Sequence, residues 1–168
     1  MVNFENLKLV ALGNPLLDMQ VRDGQDVLQK YGLKPNDAVL ASPEQLSIYE
    51  HLVENYQVTY VAGGAAQNTA RCAQYALPEG STAYLGCVGN DDLAQQLRAA
   101  NEREGLQSVY QVVNDTPTGS CAVVITGHDR SLCTNLGAAE KFDKSHLDSQ
   151  EAKAAIEAAK FFYIGGFF

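Results

Sequence analysis

Positive charge is scarce in this sequence. Twelve Lys and Arg residues stand against twenty Asp and Glu residues, so the formal net charge is −8. The basic residues form no cluster along the chain. Because nucleic acids and anionic membranes are bound through positively charged surfaces, we expect neither of them as a partner.

Long apolar runs are also absent. No run approaches the roughly 18 residues that a membrane-spanning helix needs. The N-terminal stretch MVNFENLKLVAL has no basic flank and no small-residue cleavage site, so it is unlike a secretory signal. We expect a cytoplasmic protein, with the nucleus as a second compartment.

Metal-ligand spacing and nucleotide-binding loops are missing as well. The four cysteines are widely separated, which is typical of free, buried thiols in a reducing compartment. The three histidines are equally scattered, so we expect no metal bound by this chain alone. Neither G-x-G-x-x-G nor G-x-x-x-x-G-K-[ST] occurs, which argues against a dinucleotide fingerprint and a P-loop.

What the sequence does contain is an alternation of strand and helix patterns. Hydrophobic residues make up 46% of the 168 residues, as in a globular domain. Ser42 and Pro43 have the residue types that begin a helix. This alternation predicts an α/β fold with a parallel sheet. The segments are LKLVALG, SPEQLSIYEHLVENY, QVTYVAGG, AAQNTARCAQYAL, TAYLGCVG and NDDLAQQLRAANEREG.

The pattern changes after residue 106. SVYQVV, GSCAVVIT and RSLCTNL follow one another as short strands, joined by the turn segments NDTPTG and GHD. Three strands without an intervening helix predict an antiparallel patch, suited to a lid or a dimer face. A last helix, DSQEAKAAIEAAK, then leads into the strand FFYI. The chain stops on FFYIGGFF, a run that later elements would normally cover, so we expect the front part of a longer domain.

Two strand ends carry residues that suit a ligand site. GNPLLD follows the first strand, and ligands of α/β sheets bind beyond the carboxyl ends of the strands. The carboxylate of Asp18 can accept two hydrogen bonds from paired hydroxyls, with Asn14 beside it. A plain Asn-Pro turn with a solvated Asp18 is the alternative. Gly63 and Gly64 of GGAAQN would let a ligand approach the backbone, with Asn68 one helical turn further on, unless they form only a tight turn.

Two other segments favour structural roles. GCVGNDD is typical of a capped helix start, because adjacent acids would repel a phosphate. GHDRS is typical of a hairpin turn, although an exposed Arg130 also suits a phosphate-binding lid.

In this order, LGNPLLD, AGGAAQN, GCVGND, PTGSCAVVITGHDRSL and NLGAA resemble the ribokinase-like family of sugar and nucleoside kinases, and within it the adenosine kinases. The resemblance covers essentially all 168 residues. It implies the N-terminal half of one kinase domain, a three-layer α/β/α sandwich with a mainly parallel sheet and a small β-rich lid. The lid segments would be approximately 17–62 and 108–136, with the core elsewhere.

The resemblance also implies an activity, the ATP-dependent phosphorylation of adenosine at its 5′-hydroxyl to give AMP, with Mg²⁺ on the nucleotide. Asp18 would hold the ribose hydroxyls, and Arg130 would reach the transferring phosphate. Gly63 would act with its neighbour as a hinge. The other implied substrate contacts are Asn14, Gly64 and Asn68 at the ribose and Leu40, Cys121, Leu132, Leu136 and Phe168 around the adenine.

The sequence departs from the family pattern at two places. Ala65 stands where many adenosine kinases have a serine. The downstream D-T-x-G-A-G-D segment, which in this family holds the catalytic base and the anion hole, is absent, so no catalytic residue is assigned here. We expect the 168 residues alone to be inactive and the complete protein to be a monomer. A ribokinase-like sugar kinase and a non-catalytic interaction module are the alternatives.

Overall fold

A computed structural model describes residues 4–166 of the chain, which form two β-sheets with helices packed on them. The strands are β1 (Leu9–Leu12), β2 (Leu16–Arg22), β3 (Ala38–Leu40), β4 (Thr59–Gly63), β5 (Thr82–Gly89), β6 (Gln107–Val113), β7 (Ser120–Thr126), β8 (Asp129–Asn135) and β9 (Phe161–Ile164). The helices are α1 (Gln25–Tyr31), α2 (Ile48–Asn55), α3 (Ala65–Ala76), α4 (Asp92–Arg103) and α5 (Gln150–Ala158).

The first sheet has four strands in the order β6-β5-β1-β9, and every pairing in it is parallel. The predicted parallel sheet is therefore confirmed. The prediction was wrong for the first strand of the patch after residue 106. That strand, β6, does not join an antiparallel patch, because α4 carries the chain back across the sheet and lets β6 run parallel to β5.

Side chains of the four-stranded sheet alternate between two helical layers. Ala11 and Tyr84 pack in one cluster with residues of α3 and α4. Their chain neighbours Val10 and Leu85 pack on the opposite face with α5. Two helical layers therefore enclose the sheet, as a three-layer α/β/α arrangement requires.

The second sheet has five strands in the order β3-β8-β7-β2-β4 and mixes directions. β7 and β8 form the predicted antiparallel hairpin, whose turn uses Gly127 at a φ of 61°. β2 runs parallel to β7 and antiparallel to β4. One face of this sheet packs on α1 and α2. Its strands lie almost entirely within the ranges 17–62 and 108–136 that the resemblance assigned to a lid, although β6, in the second range, belongs to the four-stranded sheet. The division into lid and core stays a prediction.

The helix expected from Ser42 is divided. Residues Pro43–Gln45 form a single 3-10 turn, and α2 begins only at Ile48. The Gln45 side chain accepts a hydrogen bond from the Ser42 N–H (3.0 Å) and donates one to the Tyr31 carbonyl (2.8 Å). These bonds tie the turn to the end of α1, so the chain is redirected before α2 can start.

No helix within residues 4–166 is long and apolar enough to cross a membrane. The chain passes between the two sheets four times, at the ends of β1, β4, β6 and β8. The cavity described below lies beside three of these crossings, at the ends of β1, β4 and β8.

Candidate functional site

A cavity of about 520 Å³ lies between the carboxyl ends of the four-stranded sheet and one face of the five-stranded sheet. Gly13, directly after β1, and Gly165, directly after β9, form its floor on the side of the four-stranded sheet. This is where ligands bind in open α/β sheets. The remaining lining residues are Asn14, Leu16, Ala38, Val39, Leu40, Gly64, Ala65, Ala66, Leu132, Thr134 and Leu136.

The register of the five-stranded sheet places several predicted site residues in one row. Asp18 lies opposite Cys121, Cys121 opposite Thr134, and Thr134 opposite Leu40. Because side chains directly opposite one another share a face of a sheet, this row lies on the face that points away from α1 and α2. Thr134 and Leu40 of the row line the cavity, whereas Asp18 lies beside it and is not one of the lining residues. A carboxylate therefore stands at one end of the row and an apolar side chain at the other.

The apolar wall of the cavity consists of leucines from different strands. Leu40, Leu132 and Leu136 all line it, as the resemblance implied. Leu40 is 67% exposed, so this part of the apolar wall is accessible from solvent. Cys121 belongs to the same row but is buried and does not line the cavity. Phe168 lies outside the described residues.

Thr134 lines the cavity and was missed in the sequence. Its hydroxyl donates a hydrogen bond to the Cys121 Sγ at 3.2 Å, which leaves the hydroxyl oxygen able to accept another bond. The alternation of RSLCTNL could have revealed it, because Leu132, Thr134 and Leu136 are spaced by two residues along the chain.

The two glycines of GGAAQN are required for different reasons. Gly64 has a φ of 91°, and a Cβ there would overlap the Asn14 carbonyl oxygen. Gly63 has an ordinary φ, but a Cβ there would overlap the Asp18 carboxylate. The diglycine therefore lets β4 lie directly against Asp18 and lets α3 begin beside the cavity.

Asp18 lies in the middle of β2 and is almost fully buried. The alternative of a solvated turn aspartate is therefore wrong, and the turn before β2 is formed by residues 13–15. Burial raises the pKa of the Asp18 carboxyl above its ordinary value, and the positive charges of Arg130 and Arg71 only partly oppose this.

Arg130 forms an ion pair with Asp18 in this structure, with 3.0 Å between the Arg130 Nη2 and the Asp18 Oδ2. It is the second residue of β8, next to the hairpin turn that the sequence indicated. Its side chain is half-exposed. The phosphate contact implied by the resemblance stays a prediction.

Asn14 lines the cavity, but Asn68 does not. Asn68 lies one turn into α3, is exposed, and accepts a hydrogen bond from the Arg71 guanidinium at 3.1 Å. Arg71 is also held by the Ala62 carbonyl and by an ion pair with Glu104. The ribose contact implied for Asn68 would require its side chain to turn towards the cavity.

The acidic segment after β5 caps a helix, as predicted. The Asp91 side chain accepts a hydrogen bond from the Ala94 N–H at 2.9 Å. It also accepts bonds from the backbone N–H and the hydroxyl of Thr118. Among residues 4–166, no three or more His, Cys, Asp and Glu side chains come together as a metal site would require.

Comparison with known proteins places this arrangement among kinases. The chain is 58% identical over 161 residues to an adenosine kinase of Schizophyllum commune, covering 96% of this chain and 47% of that protein. It is 50% identical to an adenosine kinase of Saccharomyces cerevisiae, and the match covers 95% of this chain and 47% of that protein. The chain thus spans about half the length of the curated relatives that it matches.

Solved structures that resemble this chain are also adenosine kinases. The crystal structure of Anopheles gambiae adenosine kinase in complex with P1,P4-di(adenosine-5) tetraphosphate matches with a TM-score of 0.89 and 44% identity, covering 95% of this chain and 48% of that one. The structure of Trypanosoma brucei brucei adenosine kinase matches with a TM-score of 0.90 and 34% identity, covering 96% of this chain and 50% of that one. The expected resemblance and the ribokinase-like α/β fold are confirmed.

The family assignment covers most of the chain. Residues 26–168 match the pfkB family of carbohydrate kinases, a range that contains the diglycine, the apolar wall and Arg130. This chain therefore belongs to the pfkB carbohydrate kinase family.

Proposed function

We propose that the protein carrying this chain transfers a phosphate from ATP to the 5′-hydroxyl of adenosine, giving AMP, and that this chain supplies the nucleoside-binding half. The observation that carries the proposal is the row formed by Asp18, Cys121, Thr134 and Leu40 beside the cavity. It offers a hydroxyl-binding carboxylate at one end and an apolar surface for a flat base at the other. The relatives at 50–58% identity are adenosine kinases, which supports the same substrate.

Different residues of the site contact the base and the ribose of the nucleoside. The leucines at positions 40, 132 and 136 remove apolar base surface from water, which contributes about 25 cal/mol per Å² buried. An ionised Asp18 accepts hydrogen bonds from the 2′- and 3′-hydroxyls of ribose. Gly63 and Gly64 let the sugar approach the backbone, and they are the hinge about which the five-stranded sheet would close.

The family resemblance implies Mg²⁺ on ATP, where the phosphates and one or two carboxylates would hold the metal. Residues 4–166 contain no cluster of three or more His, Cys, Asp and Glu side chains, and we assign none of them to the metal. The printed sequence also lacks D-T-x-G-A-G-D, which would hold the base. General base catalysis and an anion hole each contribute roughly two or more orders of magnitude in rate. We therefore expect no detectable AMP from these 168 residues alone.

A sugar kinase is the second candidate, because the matched family is one of carbohydrate kinases. A free sugar would satisfy Asp18 but would leave the three leucines without a partner. The exposed Leu40 therefore favours a nucleoside over a free sugar.

The test is an acceptor comparison with the intact protein, expressed from its complete gene. With Mg-ATP as the donor, adenosine, ribose and fructose are supplied in parallel, and AMP and sugar phosphates are measured. We expect kcat/KM to be highest for adenosine, with AMP as the product. A higher kcat/KM for either free sugar would contradict the proposal.

A further inference from the structure

We propose that Arg130 occupies the hydroxyl-binding carboxylate of Asp18 while the site is empty, and that Arg130 and a bound nucleoside exclude one another there. The inference rests on the proposed function, because it takes a ribose as the group that replaces Arg130. It assigns Arg130 a role in nucleoside binding itself, separate from any contact with phosphate.

The first support is the path of the Arg130 side chain across the sheet. Arg130 lies opposite Ile125, whereas Asp18 lies opposite Cys121, and Val123 lies between these two β7 residues on the same face. An ion pair from Arg130 on β8 to Asp18 on β2 therefore crosses the intervening strand β7 and is displaced by four residues along it. Val123 is fully buried, which is consistent with an arginine stem crossing above it. This is the face that carries the cavity wall.

The second support is the unequal burial of the pair. The Asp18 side chain is 10% exposed and the Arg130 side chain 50%. Asp18 is thus fixed in β2 beside Gly63, whereas half of the Arg130 side chain is already in contact with solvent. Arg130 is therefore the member of the pair that a ligand can displace.

The third support is the lack of a substitute for Arg130. Arg71 is the other positive charge that acts on Asp18. Its guanidinium is held by Glu104, by the Ala62 carbonyl and by Asn68. When Arg130 leaves, the buried carboxylate needs new donors, and two ribose hydroxyls provide them.

The exchange has a consequence for the order of binding. A bidentate pair of ribose hydroxyls would use both carboxylate oxygens, including the Oδ2 that Arg130 now contacts. Arrival of the nucleoside therefore releases a long, half-exposed cation beside the cavity. Binding of the sugar and the availability of this positive charge become coupled.

The experiment compares Arg130→Met with the parent in the intact protein, at mildly alkaline pH and without a phosphate donor. Methionine keeps an unbranched apolar stem over Val123 and removes the charge. Adenosine and 2′,3′-dideoxyadenosine are titrated by calorimetry. We expect Arg130→Met to bind adenosine at least about threefold more tightly, because no ion pair has to be broken, and to bind the dideoxy compound as the parent does.

Arg22→Met is the matched control. Arg22 lies on the same sheet face and also opposite Ile125, but no ion pair of Arg22 occurs among residues 4–166. It should leave both affinities unchanged. Arg130→Lys should abolish most of the gain, because it restores a cation.

Unchanged or weaker adenosine binding by Arg130→Met would overturn the exchange, since Arg130 would then organise the site. An equal gain in affinity for the dideoxy compound, or an equal gain in adenosine affinity for Arg22→Met, would overturn the exchange too. The gain would then come from the lower positive charge of the protein and not from the release of Asp18. If the parent itself binds no adenosine, the proposed function fails and the exchange fails with it. Adenosine binding by the parent without a gain in the variant contradicts only the exchange.

Discussion

Single residues around Asp18 show how closely the site is packed. The carboxylate lies where a Cβ at Gly63 would stand, and it forms an ion pair with the Arg130 guanidinium. A carboxylate enclosed in this way is sensitive to any added atom and to its own protonation. Two predictions follow at this scale.

Gly63→Ala should weaken adenosine binding by at least about tenfold, equivalent to about 1.4 kcal/mol, because its methyl group would displace the Asp18 carboxylate. The backbone at Gly63 has an ordinary φ, so the effect would be steric and not conformational. Gly166→Ala is the control, since a Cβ there meets no atom within 4 Å among residues 4–166, apart from its chain neighbours. Calorimetric titration of adenosine into the intact variants checks this. Equal affinities for the two variants would contradict the packing described.

Asp18→Asn should stabilise the fold at neutral pH. Burial raises the pKa of Asp18 above its ordinary 3.8, so the folded protein binds this proton more tightly than the unfolded chain does. The stabilising contribution is therefore present below the ordinary pKa and is lost as the pH rises through the raised one. Above that range the ionised carboxylate opposes folding, and asparagine removes the charge.

Urea unfolding of the intact protein measures the effect of Asp18→Asn. The variant should gain free energy of unfolding relative to the parent at neutral pH, and the gain should disappear below the ordinary aspartate pKa. Asp115→Asn, in an exposed loop, should show no such gain. A loss of stability at neutral pH would mean that the Arg130 ion pair outweighs the burial of the charge.

Part of the site could be predicted from the residues themselves. Asp18 and Gly64 were assigned from motifs at the ends of strands, whereas Leu40, Leu132 and Leu136 were assigned only through the family resemblance. The pairing of Asp18 with Arg130 could not be predicted, because it joins residues 112 apart and depends on how β7 aligns with β2. A single sequence contains no direct record of strand register.

At the scale of elements, the link between Asp91 and Thr118 connects the two sheets. Asp91 caps α4, which packs on the four-stranded sheet, and Thr118 lies in the segment that leads to β7 of the five-stranded sheet. The Thr118 hydroxyl also accepts a hydrogen bond from the Gly89 N–H at 2.9 Å. The link therefore fixes the crossing from β6 to β7.

Asp91→Ala should destabilise the fold by about 2 kcal/mol or more, because it removes a helix cap worth about 1 kcal/mol and two further bonds to a carboxylate. Burial raises the pKa of Asp91, but hydrogen bonds from Thr118 and α4 outweigh this and lower it overall. The contribution of Asp91 to the free energy of unfolding is thus present above the ordinary aspartate pKa. It is lost in acid, as the pH falls through the lowered pKa of Asp91 in the folded protein. Urea unfolding at neutral and acidic pH measures both effects.

Ser149→Ala is the matched control for this cap. Ser149 caps α5 through one hydrogen bond, from the Ala152 N–H, and should cost about 1 kcal/mol. Equal losses for the two variants would show that Thr118 adds nothing to the Asp91 cap.

Helices and strands with strong local sequence patterns were predictable, but the strands with which they pair were less so. The capped start of α4 and the β7–β8 hairpin follow from residues within a few positions of each other. The direction of β6 does not, because SVYQVV is compatible with either a parallel or an antiparallel neighbour. In the structure β6 is a parallel edge strand of the four-stranded sheet.

At the scale of the whole molecule, β9 is the most exposed apolar element. It lies at one edge of the four-stranded sheet, and Phe161, Phe162 and Ile164 are each more than half-exposed. Successive residues of a strand face opposite sides, so both faces of this edge are uncovered. Such an edge can pair with another copy of itself.

The 168-residue chain alone should therefore self-associate. Phe162→Lys combined with Ile164→Lys should shift it towards monomer, because charged side chains on an edge strand oppose pairing. Tyr75→Lys is the control, since Tyr75 is an exposed aromatic residue on α3 and away from any sheet edge. Sedimentation velocity measures the distribution. A single monomeric species for the unmodified chain would contradict the prediction.

The central claim is that Asp18 binds the ribose hydroxyls of adenosine in the cavity between the sheets. Calorimetric titration of adenosine and 2′,3′-dideoxyadenosine into the intact parent and its Asp18→Ala variant tests it most directly. Each charge-assisted bond contributes about 1.5–3 kcal/mol, so the variant should bind adenosine at least about tenfold more weakly. It should also lose the preference of the parent for adenosine over the dideoxy compound. An Asp18→Ala variant that binds adenosine as tightly as the parent would contradict the account.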